Sequence, residues 1–261
     1  MTAPVPGLVS VTYRQLPADE VVRLAAAAGL SAIEWGGDVH VPAGKFTEAE
    51  RVADLCAEAG LAVCSYGSYY YAGHDDLEVA DKVLRTAISL GAPNIRVWAG
   101  RAGSAECTGE QRQRVAEDIG GLAALAAEHD IQVSVECHPD TLTDTLPSTL
   151  RLLDDIKMSA GVVRPYWQPV PGQRVGEAGK HIDALLPLLR TVHVFAWSAD
   201  GGRQPLRVAA SLWQDVLGRL ARATADDGTV RYALLEFVPG DDPGALDAEA
   251  DTLCGWLTEV S

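Results

Sequence analysis

The stretch VSVECHPD, residues 133–140, begins as a buried strand and ends in reactive side chains. Small and apolar residues come first, and the next positions bring a carboxylate, a thiol and an imidazole in Glu136, Cys137 and His138. A single strand can end this way where it leaves the core. The stretch becomes informative because other apolar runs along the chain end in the same manner.

Short β-branched or apolar runs alternate with longer amphipathic segments, and Gly, Pro, Asp or Asn residues separate them. The predicted strands are residues 7–14, 32–37, 62–67, 94–100, 132–138, 162–168, 191–197 and 232–238. Helical patterns cover residues 17–29, 47–60, 77–91, 111–130 and 245–260. Strands that alternate with helices predict a parallel sheet, and eight such units are the number that a (β/α)8 TIM barrel needs.

An open, doubly wound sheet is the competing α/β fold. No G-x-G-x-x-G motif follows the first predicted strand, and a helical pattern follows the eighth, which completes the last unit of a barrel. No low-complexity or linker-like segment divides the chain. We therefore predict an α/β protein with a (β/α)8 TIM barrel that forms a single domain over residues 1–261.

The composition limits the partners. Thirty-six acidic residues against 21 basic ones give a formal charge of −15, which repels nucleic acid and anionic membranes. The chain has no apolar run of membrane-spanning length, its first residues do not read as a signal peptide, and its five cysteines form no CxxC pair. We expect a cytoplasmic protein with free thiols, without nucleic-acid or membrane partners, and assembled as a homodimer or homotetramer.

Reactive residues of such barrels gather at the carboxyl ends of the strands. The aromatic side chains there suit a carbohydrate, because sugar rings present apolar C–H faces between hydroxyl groups. The alternative is that these aromatic residues only cap the barrel core. The residues that we expect to bind a small carbohydrate substrate are Glu34, Trp35, His40, Tyr66, Trp98, His138, Trp167 and Trp197.

Three metal-competent residues, Glu136, His193 and Glu236, lie on otherwise apolar strands. A charge enclosed there costs several kcal/mol unless it is compensated, and a divalent cation would compensate it. Two carboxylates and an imidazole suit manganese, magnesium, cobalt or zinc. The alternative is that His193 is an ordinary core histidine and each carboxylate pairs with an arginine. The candidate arginines are Arg96, Arg101 and Arg164.

Four segments, AIEWGGDVHVP (32–42), LGAPNIRVWAG (90–100), VECHPDTLTDT (135–145) and VHVFAW (192–197), resemble strand-end segments of the xylose isomerase-like superfamily of sugar phosphate isomerases and epimerases. The resemblance covers essentially the whole chain. It implies one divalent metal ion, with Mn2+ expected first, and an acid–base role for the two glutamates among its ligands. It also implies that an arginine, Arg203, contacts the substrate. The implied metal ligands are Glu136, Gln168, His193 and Glu236.

The chain departs from the family pattern after the sixth strand. The ketose epimerase branch has Asp-Pro-x-His there, whereas this chain has Gln168 followed by Pro-Val-Pro. An amide oxygen can bind a hard cation but carries no charge, so the implied site has two formal negative charges instead of three.

The mechanism that this pattern favours is isomerisation or epimerisation of a small, non-phosphorylated sugar or polyol. A pair of glutamates, Glu136 and Glu236, would transfer the proton through a metal-stabilised enediolate. Two alternatives stay open. One is dehydration of a keto-polyol by a lyase that uses the same site, and the other is a carbohydrate-binding barrel without catalytic activity.

Overall fold

Eight parallel strands close into a barrel, as the alternation of strands and helices predicts. The structure, a computed structural model, describes residues 3–160 and 162–260. The barrel strands are β1 (Val5–Val9), β2 (Ala32–Gly36), β3 (Ala62–Tyr71), β4 (Asn94–Trp98), β5 (Gln132–Glu136), β6 (Arg164–Trp167), β7 (Thr191–Val194) and β10 (Tyr232–Leu235). Two further short strands, β8 (Ala196–Trp197) and β9 (Arg203–Gln204), form an antiparallel hairpin after β7.

An α-helix follows each barrel strand along the chain. Local signals fix the helix ends: Asp76 caps the third helix by accepting a hydrogen bond from the Val79 N–H, and Gly91 ends it in the left-handed conformation with φ of 66°. The helices are α1 (Ala18–Ala27), α2 (Phe46–Glu58), α3 (Leu77–Leu90), α4 (Gly109–Ala127), α5 (Leu146–Ala160), α6 (Val175–Leu185), α7 (Ala210–Asp227) and α8 (Leu246–Glu259).

The strands are ordered β1-β10-β7-β6-β5-β4-β3-β2 around the ring, so the first and last barrel strands are neighbours. Gly7 in β1 is opposite Leu234 of β10 and Ala32 of β2. A Cβ atom at position 7 would lie 2.5 Å from the Ala32 carbonyl oxygen and 2.6 Å from Leu234 Cδ2. Only glycine therefore fits where these strands meet.

The ends of several predicted strands differ from the structure. Residues Ser10–Tyr13 form a 3-10 helix instead of continuing β1, and β3 runs to Tyr71, four residues beyond its predicted end at residue 67. The run 191–197 is broken after Val194, and its last residues enter the hairpin. Apolar periodicity predicts burial, but it does not separate a strand from a buried turn.

The chain divides into two compact units. Unit one comprises Met1–Glu34, Leu55–Ala62 and Trp167–Ser261, and unit two comprises Trp35–Asp54 and Val63–Tyr166. The single domain over residues 1–261 stays a prediction, and residues 1, 2, 161 and 261 of it lie outside the described residues. No helix in the described part of the chain combines the length and apolar character needed to cross a membrane.

Candidate active site

Unit one holds a buried cluster of an imidazole and two carboxylates. Glu34 lies in β2, His193 lies in β7, and Glu236 directly follows β10. The Glu236 N–H donates to the Val194 carbonyl at 3.0 Å, which continues the β7–β10 ladder by one step and fixes the position of the Glu236 side chain. Glu34 and His193 are completely buried, and Glu236 is 6% exposed. The three side chains therefore meet in an enclosed space.

The imidazole of His193 lies between the two carboxylates. Its Nε2 atom is 3.3 Å from Glu34 Oε1, and its Nδ1 atom is 3.4 Å from Glu236 Oε2. β1 and β10 separate β2 from β7 in the ring, so the Glu34–His193 contact crosses the barrel interior. This cross-barrel contact joins two residues that the sequence predicted for different roles, one as a substrate ligand and one as a metal ligand.

Aromatic rings surround the hairpin that follows β7. The Trp197 ring is 4.9 Å from the ring of Phe195 and 5.3 Å from that of Phe237. The guanidinium carbon of Arg203 lies 4.6 Å from the centroid of the Phe237 ring, and Arg203 also forms an ion pair with Asp241. Arg203 and Trp197, both predicted to contact substrate, are thus part of one aromatic and cationic group in unit one.

The charge on Glu236 also acts on Arg203. Burial lowers the pKa of Arg203, the positive charge of Arg14 lowers it further, and the negative charge of Glu236 opposes both effects. An arginine remains protonated at neutral pH after such a shift. Arg203 therefore supplies a fixed positive charge within the electrostatic reach of Glu236.

Unit two holds the second predicted acid. Glu136 is the last residue of β5 and is 3% exposed. Its Oε2 atom accepts hydrogen bonds from Arg96 Nη1 and from Trp98 Nε1. The pairing of Glu136 with Arg96 is the alternative that the sequence left open. In the structure, this carboxylate therefore has a guanidinium partner, and its role as a metal ligand stays a prediction.

An aromatic wall, defined here as Tyr69, Tyr71, Trp98 and His138, lies next to Glu136. The Trp98 ring is 5.0 Å from Tyr69, 4.6 Å from Tyr71 and 5.0 Å from His138. The backbone of Tyr69 has a φ of 58°, a left-handed conformation that residues other than glycine rarely adopt. Of the four residues, the sequence-based site included Trp98 and His138.

A bulge in β3 places two of these rings. Gly67 is opposite Arg96 and Tyr71 is opposite Trp98, so four steps along β3 match two steps along β4. Such a bulge re-aims the side chains that it contains. The aromatic run after residue 67 gives the signal for this wall, but the turn of the backbone that produces it cannot be read from the alternation of residues.

Threonine hydroxyls hold the loop after β5. Thr143 Oγ1 donates to the Glu136 carbonyl oxygen, and Thr141 Oγ1 donates to the His138 carbonyl oxygen at 2.8 Å. Both threonines are buried. The sequence analysis gave neither threonine a role. Threonines at alternate positions, as in TLTDT, are nevertheless typical of turns in which side-chain hydroxyls form hydrogen bonds with the backbone.

Three further predicted site residues lie in unit two. Trp35 and His40 are buried, and their rings make an edge-on contact at 5.6 Å. The Tyr66 hydroxyl is buried and donates to the Val41 carbonyl oxygen at 2.9 Å. Burial, followed by the charge of Asp38, raises the pKa of Tyr66. These contacts describe packing and a hydrogen-bonded hydroxyl, and the substrate contacts predicted for the three residues stay predictions.

Trp167 and Gln168 occupy the end of β6 and the following position. The Trp167 ring is buried and lies 5.9 Å from the ring of Trp213 in α7, so it belongs to the packing between strand and helix. Gln168 is half-buried. The substrate contact predicted for Trp167 and the metal contact predicted for Gln168 stay predictions.

The buried side chains offer part of a site for the predicted metal. Within residues 3–160 and 162–260, no set of three or more His, Cys, Asp or Glu side chains is arranged to hold a metal ion. Two atoms are donors of a suitable type: His193 Nδ1 and Glu236 Oε2 are 3.4 Å apart, and Glu236 Oε2 is buried and accepts no hydrogen bond from any residue that the structure describes. A buried carboxylate oxygen beside an imidazole nitrogen matches the ligands of a divalent cation, which would then need further oxygen ligands.

A family model described as Xylose isomerase-like TIM barrel matches residues 22–166. A curated relative, a 3-dehydroshikimate dehydratase from Bacillus anthracis, is 28% identical over 155 residues, which are 57% of this chain and 55% of the relative. The match thus spans about half the length of that curated protein.

Solved structures resemble the whole chain. The probable 3-DHS dehydratase AsbF from Bacillus anthracis has a TM-score of 0.78 at 22% identity, covering 96% of this chain and 98% of that one. A xylose isomerase-like TIM barrel protein from Mycobacterium smegmatis, solved in complex with magnesium, has a TM-score of 0.72 at 16% identity. A D-allulose 3-epimerase from Methylomonas sp. has a TM-score of 0.70 at 15% identity. The comparisons with these last two structures each cover 99% of this chain and 98% of theirs.

Identities this low establish the likeness of fold alone. The family model, in contrast, matches more than half of the chain, and the closed barrel agrees with it. The chain belongs to the xylose isomerase-like TIM barrel family.

Proposed function

We propose that this chain is a divalent-metal-dependent enzyme that removes a proton from the carbon next to a carbonyl group in a small polyhydroxylated compound. The observation that carries the proposal is the buried cluster in unit one, where His193 lies 3.3 Å from Glu34 and 3.4 Å from Glu236. An ordinary barrel core has no need of two carboxylates around one imidazole, because each buried charge costs several kcal/mol.

The cation would be held by His193 and Glu236, with Gln168 as the further ligand that the sequence predicts. Mn2+ is the first candidate, and Mg2+, Co2+ and Zn2+ are the alternatives. When bound, the cation would supply Lewis-acid polarisation of the carbonyl oxygen. The neutral Gln168 leaves fewer negative charges for the cation, which predicts weaker binding than a carboxylate in its place would give.

The side chains of this chain have different tasks in the proposed reaction. Glu236 has two: its Oε2 atom, 3.4 Å from His193 Nδ1, would bind the cation, and the other oxygen of this buried carboxylate is the candidate base. Glu136, the other predicted acid–base residue, is held in one orientation by Arg96 and Trp98. Arg203 offers a positive charge for an anionic group of the substrate.

Elimination of water is the first outcome that we propose, with a β-hydroxy carbonyl compound such as 3-dehydroshikimate as substrate. The C–H bond next to the carbonyl breaks, its electron pair forms the new C=C bond, and the β-hydroxyl leaves with a proton as water. The relative that is 28% identical over 155 residues is named as a 3-dehydroshikimate dehydratase, which supports this choice.

Isomerisation or epimerisation of a ketose is the second outcome, since it begins with the same proton abstraction. The full-length likeness in fold to a D-allulose 3-epimerase supports it. Here the proton returns to the same carbon on the other face, or to the neighbouring carbon, and no water leaves.

A substrate panel separates these outcomes. Protein stripped with EDTA and reloaded with Mn2+ is mixed with 3-dehydroshikimate and, separately, with ketohexoses in deuterated water. Dehydration gives a product with a new ultraviolet absorption. Epimerisation instead incorporates deuterium into the sugar and gives no new absorption. Glu236→Gln should abolish either signal. Glu249 is a buried carboxylate of α8 outside the cluster, so Glu249→Gln should keep the signal of the unsubstituted protein. No turnover and no exchange with any of the four metals would refute the proposal.

A further inference from the structure

We propose that Glu34 is a positioning residue that holds the imidazole of His193 in the tautomer needed for cation binding. The inference deepens the proposed function and rests on it. Glu34 was predicted from the sequence to contact the substrate. That contact stays a prediction, and the structure places the Glu34 Oε1 atom 3.3 Å from His193 Nε2.

The geometry gives each nitrogen of the ring a different neighbour. Nε2 faces Glu34, whereas Nδ1 faces Glu236 at 3.4 Å. Both neighbours are carboxylates at similar distances, but Glu236 Oε2 is buried and accepts no hydrogen bond among the described residues, which favours a cation on the Nδ1 side. The Nδ1 lone pair would then bind the cation, and the hydrogen would lie on Nε2, next to Glu34. Histidines that bind metals are commonly oriented by a carboxylate on their second nitrogen, and this contact fixes both the tautomer and the ring orientation.

The burial of Glu34 supports a positioning role over direct contact with substrate. The side chain is 0% exposed, and its contact with His193 spans the barrel interior from β2 to β7. The register of β2 fixes its height, because Glu34 is opposite Val9 of β1. A carboxylate enclosed this deeply is costly, so its presence requires a polar role inside the cluster.

Two variants separate the acceptor from the charge. Glu34→Leu removes the acceptor at similar size, and Glu34→Gln keeps an acceptor oxygen without the charge. Glu249→Leu is the matched control, because Glu249 is also buried, at 6% exposure, and accepts its hydrogen bond from the Leu206 N–H. Circular dichroism and thermal melting of the metal-free proteins establish that each variant is folded.

The first measurement is the dissociation constant for Mn2+ by calorimetry on EDTA-treated protein. We expect Glu34→Leu to weaken binding by about 10- to 100-fold, Glu34→Gln to weaken it less, and Glu249→Leu to leave it within about twofold. The second measurement is the 15N spectrum of histidine-labelled, metal-free protein, with His193 assigned from a His193→Gln variant. We expect Nε2 to carry the hydrogen in the unsubstituted chain and this preference to be lost in Glu34→Leu.

A folded Glu34→Leu protein that binds Mn2+ as tightly as the unsubstituted chain overturns the inference. If Glu34→Leu does not fold, the test uses Glu34→Gln. An Mn2+ dissociation constant of Glu34→Gln equal to that of the unsubstituted chain then overturns the inference. If the unsubstituted chain binds no Mn2+, the proposed function fails, and the nitrogen spectra still decide on Glu34. The same His193 tautomer with and without the Glu34 carboxylate then counts against the positioning role, and a changed tautomer supports it.

Discussion

The buried pair formed by Arg96 and Glu136 allows a quantitative test of what Glu136 does. The two side chains are 3% and 4% exposed. Removing one partner of a buried ion pair costs about 3–5 kcal/mol, because the other charge is left without compensation. In Arg96→Met, Trp98 Nε1 still donates to the same Glu136 oxygen. We therefore expect the lower end, about 3 kcal/mol of lost unfolding free energy.

A double-mutant cycle isolates the pair. Glu136→Gln alone should also cost about 3 kcal/mol, since it leaves the Arg96 guanidinium buried beside a neutral amide. The double variant removes both charges and should cost about 1–2 kcal/mol, so the two substitutions should be coupled by about 4–5 kcal/mol. Urea denaturation of the four proteins in EDTA, followed by fluorescence and circular dichroism, measures these values.

Repeating the cycle with saturating Mn2+ tests whether Glu136 also binds the cation. If it does, the cation replaces the lost guanidinium, and Arg96→Met should gain at least about 1 kcal/mol more from Mn2+ than the unsubstituted chain does. Coupling below about 0.5 kcal/mol in EDTA would show that the ion pair does not stabilise the fold. Equal stabilisation of both proteins by Mn2+ would remove Glu136 from the ligand set.

Three further predictions concern parts of the chain outside the cluster. Gly7→Ala should cost about 3 kcal/mol in denaturation experiments, because its Cβ would lie 2.5 Å from the Ala32 carbonyl oxygen. Trp213→Phe should cost about 2–3 kcal/mol, since it removes the donor to the Phe195 carbonyl oxygen at 2.8 Å; a loss below about 0.5 kcal/mol would show that this bond is dispensable. Burial raises the pKa of Glu249, so the stability that this group contributes is complete below its unfolded-state pKa and is lost as pH rises through the folded one. Glu249→Gln should therefore become more stable relative to the unsubstituted chain as the pH is raised from about 4 to 7, and parallel pH profiles would contradict this.

The sequence predicts the barrel well because each strand carries its own signal. All eight apolar runs overlap a barrel strand, and a helix follows each of them along the chain. The exceptions lie at strand ends. Ser10–Tyr13 is as buried as a strand but turns into a 3-10 helix, and β3 continues beyond residue 67 through a bulge. Both are choices of backbone conformation that burial patterns do not distinguish.

The candidate site is harder to predict because its contacts join distant strands. Fold topology brings strand-end residues to one end of a barrel, which is enough to select His193 and Glu236. Topology does not predict which pairs of side chains make contact across the barrel interior. The contact between Glu34 and His193 is such a pair, so it could not be predicted. The pairing of Arg96 with Glu136 was open for the same reason. Residue types indicate the chemistry of a site, whereas side-chain register and length decide its partners.

The left-handed backbone of Tyr69 has a consequence for any effort to improve this protein. Glycine at that position would relax the backbone by about 1–2 kcal/mol, yet it would remove the ring that contacts Trp98 at 5.0 Å. The lost ring contacts with Trp98 and Arg96 oppose that gain in stability, and the change opens a gap beside Glu136. Directed evolution of this chain should therefore score turnover and melting temperature together.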